Sequence, residues 1–331
     1  MSRYALPLAA MIALASCSGA SIVKPKTDGP ESVAPLPGTP NPTATRGITR
    51  YEAKTEDGSG FAQSFNYNSA DDTFTVDNLA FDGGNTYSRL TPPGALNPGP
   101  FRVYEGPAST PDSLTGVPID QFLHRAILGT STSGDVEFAI VRTGSYVNYG
   151  FGGFVYSRNG RVTLPLPSTG QARFSGDYMA LRDFNGRSGI EYATGAMTVD
   201  IDFKDFNDGK AVKGSVTNRK VFDINGTDIT AQVVAGMQDK FVNPSISALP
   251  TLTFVVGPGH VDSNGEITGA LNSHVRNGDG EDELYENGNY YALLSGEGVN
   301  EVVGVIVVTA EDARYKNVTV RETGGFLLTR P

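Results

Sequence analysis

The residues of this chain that are best suited to chemistry are carboxylates gathered in one loop. Between Arg276 and Asn287 the chain is rich in glycine and in acidic residues around one tyrosine. Carboxylates on such a loop steer a basic protein surface towards it, and a tyrosine offers apolar contact area. The sequence therefore predicts a binding loop for a basic partner, with a solvated hairpin loop as the alternative. The candidate ligand-binding residues are Asp279, Glu281, Asp282, Glu283 and Tyr285.

Other acidic residues have a structural interpretation. Asp200 and Asp202 share one face of a strand, and we expect that face to point to solvent. The segments Asp262–Glu266 and Asp205–Gly209 resemble calcium loops in part. Both lack the full alternating ligand set and the closing glutamate, so we interpret them as hairpin turns.

The sequence predicts neither a metal site nor a catalytic centre. The three histidines, His124, His260 and His274, are far apart and have no ligand spacing. An enzyme needs acid, base or nucleophile groups that converge, and no such set is visible. Haem commonly takes a His or Tyr ligand, and 14 tyrosines keep a haem ligand open, although tyrosines more often serve cores and interfaces. We therefore expect no enzyme activity, no metal and no resident cofactor.

The N-terminal residues 1–16 have the pattern of a secretory signal. Arg3 precedes the apolar run Ala5–Ala15, which is too short to span a bilayer. Leu14-Ala15-Ser16-Cys17 then resembles the bacterial lipoprotein signal, in which the cysteine is acylated and becomes the N-terminus. An ordinary cleaved signal is the alternative. Ser18, where an aspartate would retain the protein at the inner membrane, favours the outer membrane by the same resemblance.

A tether at 17–46 is expected to follow this signal. Its residues from Ser18 to Arg46 include six prolines and few large apolar residues, which cannot bury enough surface to order the chain. In an extended form such a segment reaches roughly 90 Å, at about 3.1 Å per residue. The formal net charge of −10 argues against a nucleic-acid partner.

From residue 47 onward, alternating apolar and polar residues predict an all-β fold. We expect a small, handle-like N-terminal β domain at 47–144, followed by a second domain at 145–331. In the second domain Phe174, Tyr178, Val199 and Ile201 lie on the apolar faces of alternating strands. Eight or nine such strands indicate an antiparallel β-barrel, because closure removes exposed sheet edges.

Two stretches of the second domain depart from simple alternation. Thr227–Phe241 has apolar residues four apart after a cap at Thr227 or Asp228, which predicts one short amphipathic helix that covers a barrel end. Val302–Val308 is apolar on both faces. One face should fill the barrel and the other should lie under the neighbouring domain.

Three segments together resemble one known family. Pro167–Tyr178 has the spacing Pro-x-x-Gly-x-Ala-x-Phe-x-Gly-x-Tyr, and an acidic strand at Gly195–Phe203 precedes Val-x-Gly-x-Val-x-Asn at Val212–Asn218. With Gly288–Thr309, they resemble the barrel domain of the transferrin-binding protein B-like surface lipoproteins, which include factor H binding protein. The resemblance covers about 145–331, one barrel lobe where transferrin-binding protein B has two.

This resemblance implies a lipid-anchored outer-membrane protein that faces the cell surface. Such a protein binds an extracellular ligand, here an iron- or haem-carrying partner, for delivery to a TonB-dependent outer-membrane receptor. Members of the family reach the surface through a dedicated translocon. The alternative is a structural or adhesive envelope lipoprotein without a solute ligand.

Lipidation of Cys17 can be tested by fractionation. Cys17→Ser should move the protein out of the membrane fraction, because more than one acyl chain is needed for stable anchoring and the variant receives none. Ser18→Ala, one residue away, is the control and should remain in the membrane. A cleaved Cys17→Ser protein that still partitions with membranes would contradict lipid anchoring.

Overall fold

The computed structural model describes residues 33–77, 79–90, 96, 99–163, 171–203, 211–256 and 260–331. The first part of the chain forms an open sheet, here called the first sheet, in the order β1-β10-β9-β8-β5-β4-β3-β2, with β6 and β7 as a separate hairpin. Its strands are β1 (Ile48–Tyr51), β2 (Phe65–Asn68), β3 (Thr73–Val76), β4 (Thr86–Leu90), β5 (Phe101–Glu105), β6 (Ser109–Pro111), β7 (Pro118–Asp120), β8 (His124–Thr130), β9 (Val136–Thr143) and β10 (Gly152–Arg158).

The second part of the described chain closes into an antiparallel barrel of eight strands, in which β18 pairs back with β11. One helix among the described residues, α1 (Thr230–Lys240), lies between β13 and β14. The barrel strands are β11 (Gln171–Asn185), β12 (Ile190–Asp202), β13 (Ala211–Phe222), β14 (Leu252–Phe254), β15 (Glu266–Arg276), β16 (Asp282–Ser295), β17 (Glu301–Glu311) and β18 (Thr319–Thr329).

The predicted fold class is confirmed: a β region precedes an antiparallel barrel with one inserted helix. The predicted boundary at 145 does not coincide with the change of sheet, because β10 is hydrogen-bonded between β1 and β9 in the first sheet. The alternation of residues in Gly152–Arg158 is the same whichever sheet the strand joins. Only its pairing partners decide to which sheet it belongs.

β17 is buried on both faces, as predicted. Val302 and Ile306 point into the barrel, where they join the apolar interior around Phe174 and Tyr178. Val303 and Val305 point outward into a second core, here called the seam, which packs the barrel against the first sheet. First-sheet residues of the seam include Phe101, Ile127, Phe138, Ile140 and Phe154.

Adjacent glycines in β18 allow both cores to close. A Cβ on Gly324 would lie 2.2 Å from the ring of Tyr178 inside the barrel. A Cβ on Gly325 would lie 2.1 Å from the ring of Phe138, which comes from the first sheet. Each ring therefore packs directly on backbone, and a larger residue at either position would push the ring away.

Arginines fix the first sheet on the barrel at the margins of the seam. Arg142, with no exposed surface, donates to Glu52 (2.9 and 2.7 Å) and to the Thr323 hydroxyl. Arg50 forms a two-pronged pair with Glu266, and Arg321 of β18 donates to the Ser59 hydroxyl and the Gly150 carbonyl. Arg158 donates to the carbonyls of Leu294 and Asn264. Because these bonds are directional, they set the angle between the two sheets.

Residues 33–46, the last part of the expected tether, are packed in the structure. Leu36 is buried in the seam, and the 37–39 segment runs along the open edge of β1. The Tyr51 N–H donates to the Pro37 carbonyl, and the Thr39 N–H to the Thr49 carbonyl. A proline can occupy this edge position because its carbonyl only has to accept a hydrogen bond and no backbone N–H is needed. Residues 1–32, with Cys17 and the rest of the tether, lie outside the described residues.

The predicted helix covers one end of the barrel. Its side chains Val233 and Met237 pack on Val221 and Val275, near the ends of β13 and β15. The helix begins later than expected, after Ile229, and Ile229 provides no side-chain cap. The Asp228 carboxylate instead accepts from the Thr230 N–H, at 2.9 Å.

Truncation of Phe174 tests the inside–outside assignment. Phe174 is fully buried in the barrel interior, so Phe174→Ala should lower the free energy of unfolding by about 3–5 kcal/mol. Ser175→Ala, on the exposed outer face of the same strand, is the matched control and should have little effect. Equal thermal midpoints for the two variants would contradict the assignment.

Candidate functional site

The strands of the first sheet and of the barrel end at the same two ends of the molecule. Arg142, late in β9, contacts Thr323 in β18, while Ser133, before β9, contacts Glu301 at the start of β17. We call the end at which β9 and β17 finish the upper end, and the opposite one the lower end. The upper end carries the loops 52–64, 77–85, 106–123, 144–151, 186–189, 223–251, 277–281 and 312–318.

Exposed apolar side chains are concentrated at the upper end. The described residues include ten large hydrophobic residues that remain exposed, and nine of them lie in the upper-end loops or next to them. Val256 is the exception. Scattered exposed hydrophobics are normal, but a one-sided concentration marks an interaction surface. The nine are Phe81, Leu114, Val117, Ile119, Leu123, Val147, Val242, Leu284 and Tyr315.

The β6–β7 hairpin presents the most exposed of these side chains. Leu114 is 93% exposed and Val117 is 60% exposed. The Asp112 carboxylate accepts hydrogen bonds from the Thr115 hydroxyl and from the backbone N–H groups of Leu114 and Thr115. The bond from the hydroxyl lowers the pKa of Asp112 most, and the two backbone bonds lower it further. Asp112 thus fixes the turn, and the turn holds the Leu114 side chain in solvent with almost no other residue covering it.

Phe81 reaches this surface from a strained backbone. Its φ is +54°, a region that a bulky side chain rarely adopts. Its ring is 56% exposed and contacts the Phe122 ring at 4.9 Å between centroids. The Phe122 N–H donates to the Phe81 carbonyl at 2.8 Å, which helps to hold the strained conformation. Strain of this kind persists where the surrounding structure imposes it, often at functional sites.

The acidic loop lies at the same end, between β15 and β16. Asp279, Glu281, Asp282 and Glu283 are exposed, as a binding loop requires. The loop is nevertheless ordered by Asn277, whose side chain accepts from the N–H groups at 279 and 281 and donates to Glu283 at 2.6 Å.

Tyr285, the fifth candidate, faces α1 and the residue that ends it, Phe241, which together we call the lid. Its ring meets the Phe241 ring edge-on at 5.7 Å, and burial raises the pKa of its phenol. The apolar groups beside the carboxylates are instead Val242, 77% exposed with a φ of +50°, and Leu284, 56% exposed. Sequence reasoning missed both, because each follows a patterned segment and only the surrounding packing leaves it uncovered.

Beneath α1 the barrel interior changes from apolar to charged. Arg219 donates from Nη1 and Nη2 to the two oxygens of Glu286, both at 2.7 Å, and from Nη2 to Glu322 at 3.0 Å. The Tyr178 hydroxyl donates to Glu322, and the Ser273 hydroxyl donates to Glu286. We call this set the charged layer; its ionic members are Arg182, Glu191, Arg219, Glu286, Asp312, Arg314 and Glu322.

Pairing with arginines keeps Glu286 and Asp312 ionised in the charged layer. Burial alone would raise the pKa of Glu286, but the Arg219 guanidinium outweighs it and holds that pKa below the usual range. The same opposition operates at Asp312, where burial is outweighed by Arg314. Asp312 and Arg314 lie in one loop, but every other pair joins residues of different elements, so the layer fixes the strand ends that carry the upper-end loops.

The other sequence candidates occupy structural positions. Asp200 pairs with Arg173 on the outer barrel face at 2.7 Å. The Asp262 carboxylate accepts from the N–H groups of Asn264 and Glu266, as a hairpin turn does. His124 and His260 are buried and His274 is exposed. Within the described ranges, no three His, Cys, Asp or Glu residues are grouped to hold a metal ion. Residues 204–210, with the other calcium-like segment, lie outside those ranges.

No family model and no curated protein matches this chain. Among solved structures it is similar to transferrin-binding protein B of Haemophilus parasuis Hp5, a double mutant, with 11% identity, 81% of this chain and 45% of that chain covered, and a TM-score of 0.36. It is also similar to intact Ap-TbpB with its N and C lobes (12%, 79% and 45%, TM-score 0.33). A third similar structure is a surface lipoprotein, with 12% identity, 62% of this chain and 80% of that chain covered, and a TM-score of 0.33.

This chain spans less than half the length of these two transferrin-binding protein B structures. The resemblance that the sequence motifs indicate is thus found again, as a resemblance, among solved structures. In the described part of the chain, no helix is long and apolar enough to cross a membrane.

The charged layer predicts unequal effects for two arginine pairs of similar geometry. Arg219→Met leaves Glu286 and Glu322 buried without their main partner, so the free energy of unfolding should fall by about 3–5 kcal/mol. Arg173→Met breaks the solvent-exposed pair with Asp200 and should leave stability unchanged. Denaturant titrations compare the two. An Arg219→Met protein as stable as Arg173→Met would contradict the buried layer.

Proposed function

We propose that this protein is a lipid-anchored binding protein of the cell envelope that holds an extracellular protein partner on its upper end. The concentration of nine exposed hydrophobic side chains at that end carries the proposal. Protein interfaces are centred on apolar anchors that become dry on binding, with a polar rim around them. The β6–β7 hairpin with Phe81 supplies such anchors, and the acidic loop supplies a charged rim.

The upper end is suited to recognition because it stands on rigid elements. The charged layer and the seam fix the strands below it, so a partner meets loops whose positions are already set. Less conformational entropy is then lost on binding, which favours affinity. The acidic loop supports the choice of a basic partner surface, because carboxylates accelerate encounter with positive charge.

The chain enters the fold far from this surface. The Val33 carbonyl accepts from the Thr268 hydroxyl, near the lower start of β15. We propose that acylated Cys17 holds the protein in the outer membrane and that the upper end faces outward from the cell surface. Export through the lipoprotein translocon belongs to the same proposal and has the family resemblance as its support.

The partner class that we propose is a carrier of iron or haem, which the protein would pass to a TonB-dependent outer-membrane receptor. The sequence motifs shared with transferrin-binding protein B-like lipoproteins support this class. A structural or adhesive role without a solute is the second candidate. The barrel interior favours it, because the described interior is filled by side chains such as Phe174, Tyr178 and Phe326.

Position-specific crosslinking tests the proposal. A photoreactive residue is placed at Leu114 or Val147 on the upper end and at Asp135 or Arg330 on the lower end, in the intact lipoprotein on cells. Exposure to host fluid should give a crosslinked protein from the upper positions only. The metal and haem content of that protein separates the iron-delivery role from the adhesive role. Equal crosslinking from both ends would contradict an upper-end site.

Charged substitutions on the hairpin should abolish binding without unfolding the protein. Leu114→Asp with Val117→Asp places charge where the proposed interface becomes dry, so affinity for the crosslinked partner should fall at least tenfold. Both side chains are exposed, so the thermal midpoint should not change. Val256→Asp at the lower end is the control. An unchanged affinity of the hairpin variant would exclude the hairpin from the interface.

Removal of loop carboxylates should slow association. Asp279→Ser with Glu281→Ser should lower the association rate at low salt and reduce its salt dependence, because steering weakens. Glu283 is kept, since it accepts from Asn277. The control is Asp135→Ser with Glu297→Ser, which removes the same amount of charge from the lower end. Identical rate–salt curves for the two variants would leave the loop as a solvated hairpin.

A further inference from the structure

A cleft beside the seam has the composition of a small-ligand site. It lies near the upper end, and its lining shares no residue with the nine exposed hydrophobic side chains there. It lies between the loop that follows β1, residues 53–59, and the outward faces of β16 and β17. Its volume is about 300 Å³, at the small end of the range for ligand pockets. The floor is apolar and consists of Leu36, Phe154, Tyr291 and Val307.

Free polar groups surround this floor. Asn287 and Thr309 face each other across β16 and β17, and both side chains are exposed. Thr55 faces them from the opposite wall. Among the described residues none of these three side chains has a hydrogen-bond partner of its own. Their amide and hydroxyl groups are therefore available to a ligand, as donors and as acceptors.

The asparagines are unusual for their position. Asn is depleted in β-strands, since it competes with the ladder by bonding to nearby backbone. Nevertheless Asn287 and Asn289 occupy two successive outward positions of β16, and both line the cleft. Valine or threonine would suit the strand better, so a role in the cleft explains the asparagines.

The cleft is neutral, although the chain as a whole is acidic. Its one charged lining residue is Glu52, and that carboxylate is already occupied. It accepts two bonds from Arg142 and one from the Gly60 N–H at 2.9 Å. Burial opposes its ionisation, but Arg142 outweighs burial and lowers the pKa of Glu52. No uncompensated charge of the cleft lining is therefore left to attract an ionic ligand.

We propose that this cleft binds a neutral saccharide. A sugar has hydroxyl groups that both donate and accept, which match the amide of Asn287 and the hydroxyls of Thr55 and Thr309. Its C–H face is apolar enough to lie on the Tyr291 ring, while a charged ligand would lose hydration without gaining an ion pair. Only one or two sugar units fit the volume.

Ligand-observed saturation-transfer NMR on the full-length protein tests the site. The probes are glucose, galactose, N-acetylglucosamine and lactose at millimolar concentration, with glucuronic acid as the charged comparison. At least one neutral sugar should receive saturation, and glucuronic acid should receive less. Asn287→Leu with Thr309→Val should weaken that sugar at least tenfold.

A matched control exists in the first sheet. Asn66 and Thr75 are also cross-strand partners, in β2 and β3, and Asn66→Leu with Thr75→Val should bind like the wild type. Thr55→Val, on the other wall, should weaken binding too, and it tests the cleft without altering a barrel strand. The proposal is overturned if no neutral sugar binds, if glucuronic acid binds as strongly as the neutral sugars, or if both cleft variants bind the sugar like the wild type.

Discussion

The structure depends on covering the outward face of β16, β17 and β18. Leu293, Val303, Val305 and Leu327 all point away from the barrel, and full burial of each such side chain stabilises the fold by about 1.5–3 kcal/mol. A barrel alone would leave this face in water. The first sheet must therefore lie across these strands, and its position brings its loops level with the upper barrel loops. The proposed binding surface is thus composed by both parts of the chain.

Directional bonds then decide how the two parts meet. Apolar contact alone would allow the sheet to slide, whereas three arginines form hydrogen bonds between the two parts. Arg142 donates to Thr323, Arg321 to the Gly150 carbonyl and Arg50 to Glu266. The charged layer has a similar role inside the barrel. A buried ion pair adds little net stability relative to apolar packing, because desolvation of both charges opposes it, but a misplaced strand would leave a charge unpaired. We infer that these charges select one arrangement rather than strengthen it.

A filled interior limits where function can lie. The described interior is taken up by aromatic rings below and ion pairs above, so both proposed sites lie on surfaces: the loops at the upper end and the neutral cleft beside the seam. The two differ in chemistry. The upper end combines apolar anchors with carboxylates, which suits a large protein surface, while the cleft combines an aromatic floor with amides and hydroxyls.

The features that depend on periodicity could be predicted from the sequence alone. Alternation placed Phe174 and Val199 inside, and the two apolar faces of β17 required a covering sheet. Four-residue spacing located the helix over the barrel end. Tertiary structure decided what depends on distant partners: β10 joins the first sheet, Arg219 turns inward because Glu286 and Glu322 receive it, and Tyr285 turns to the lid while Val242 and Leu284 stay uncovered. A local pattern records which face a residue occupies, but it does not record what lies against that face.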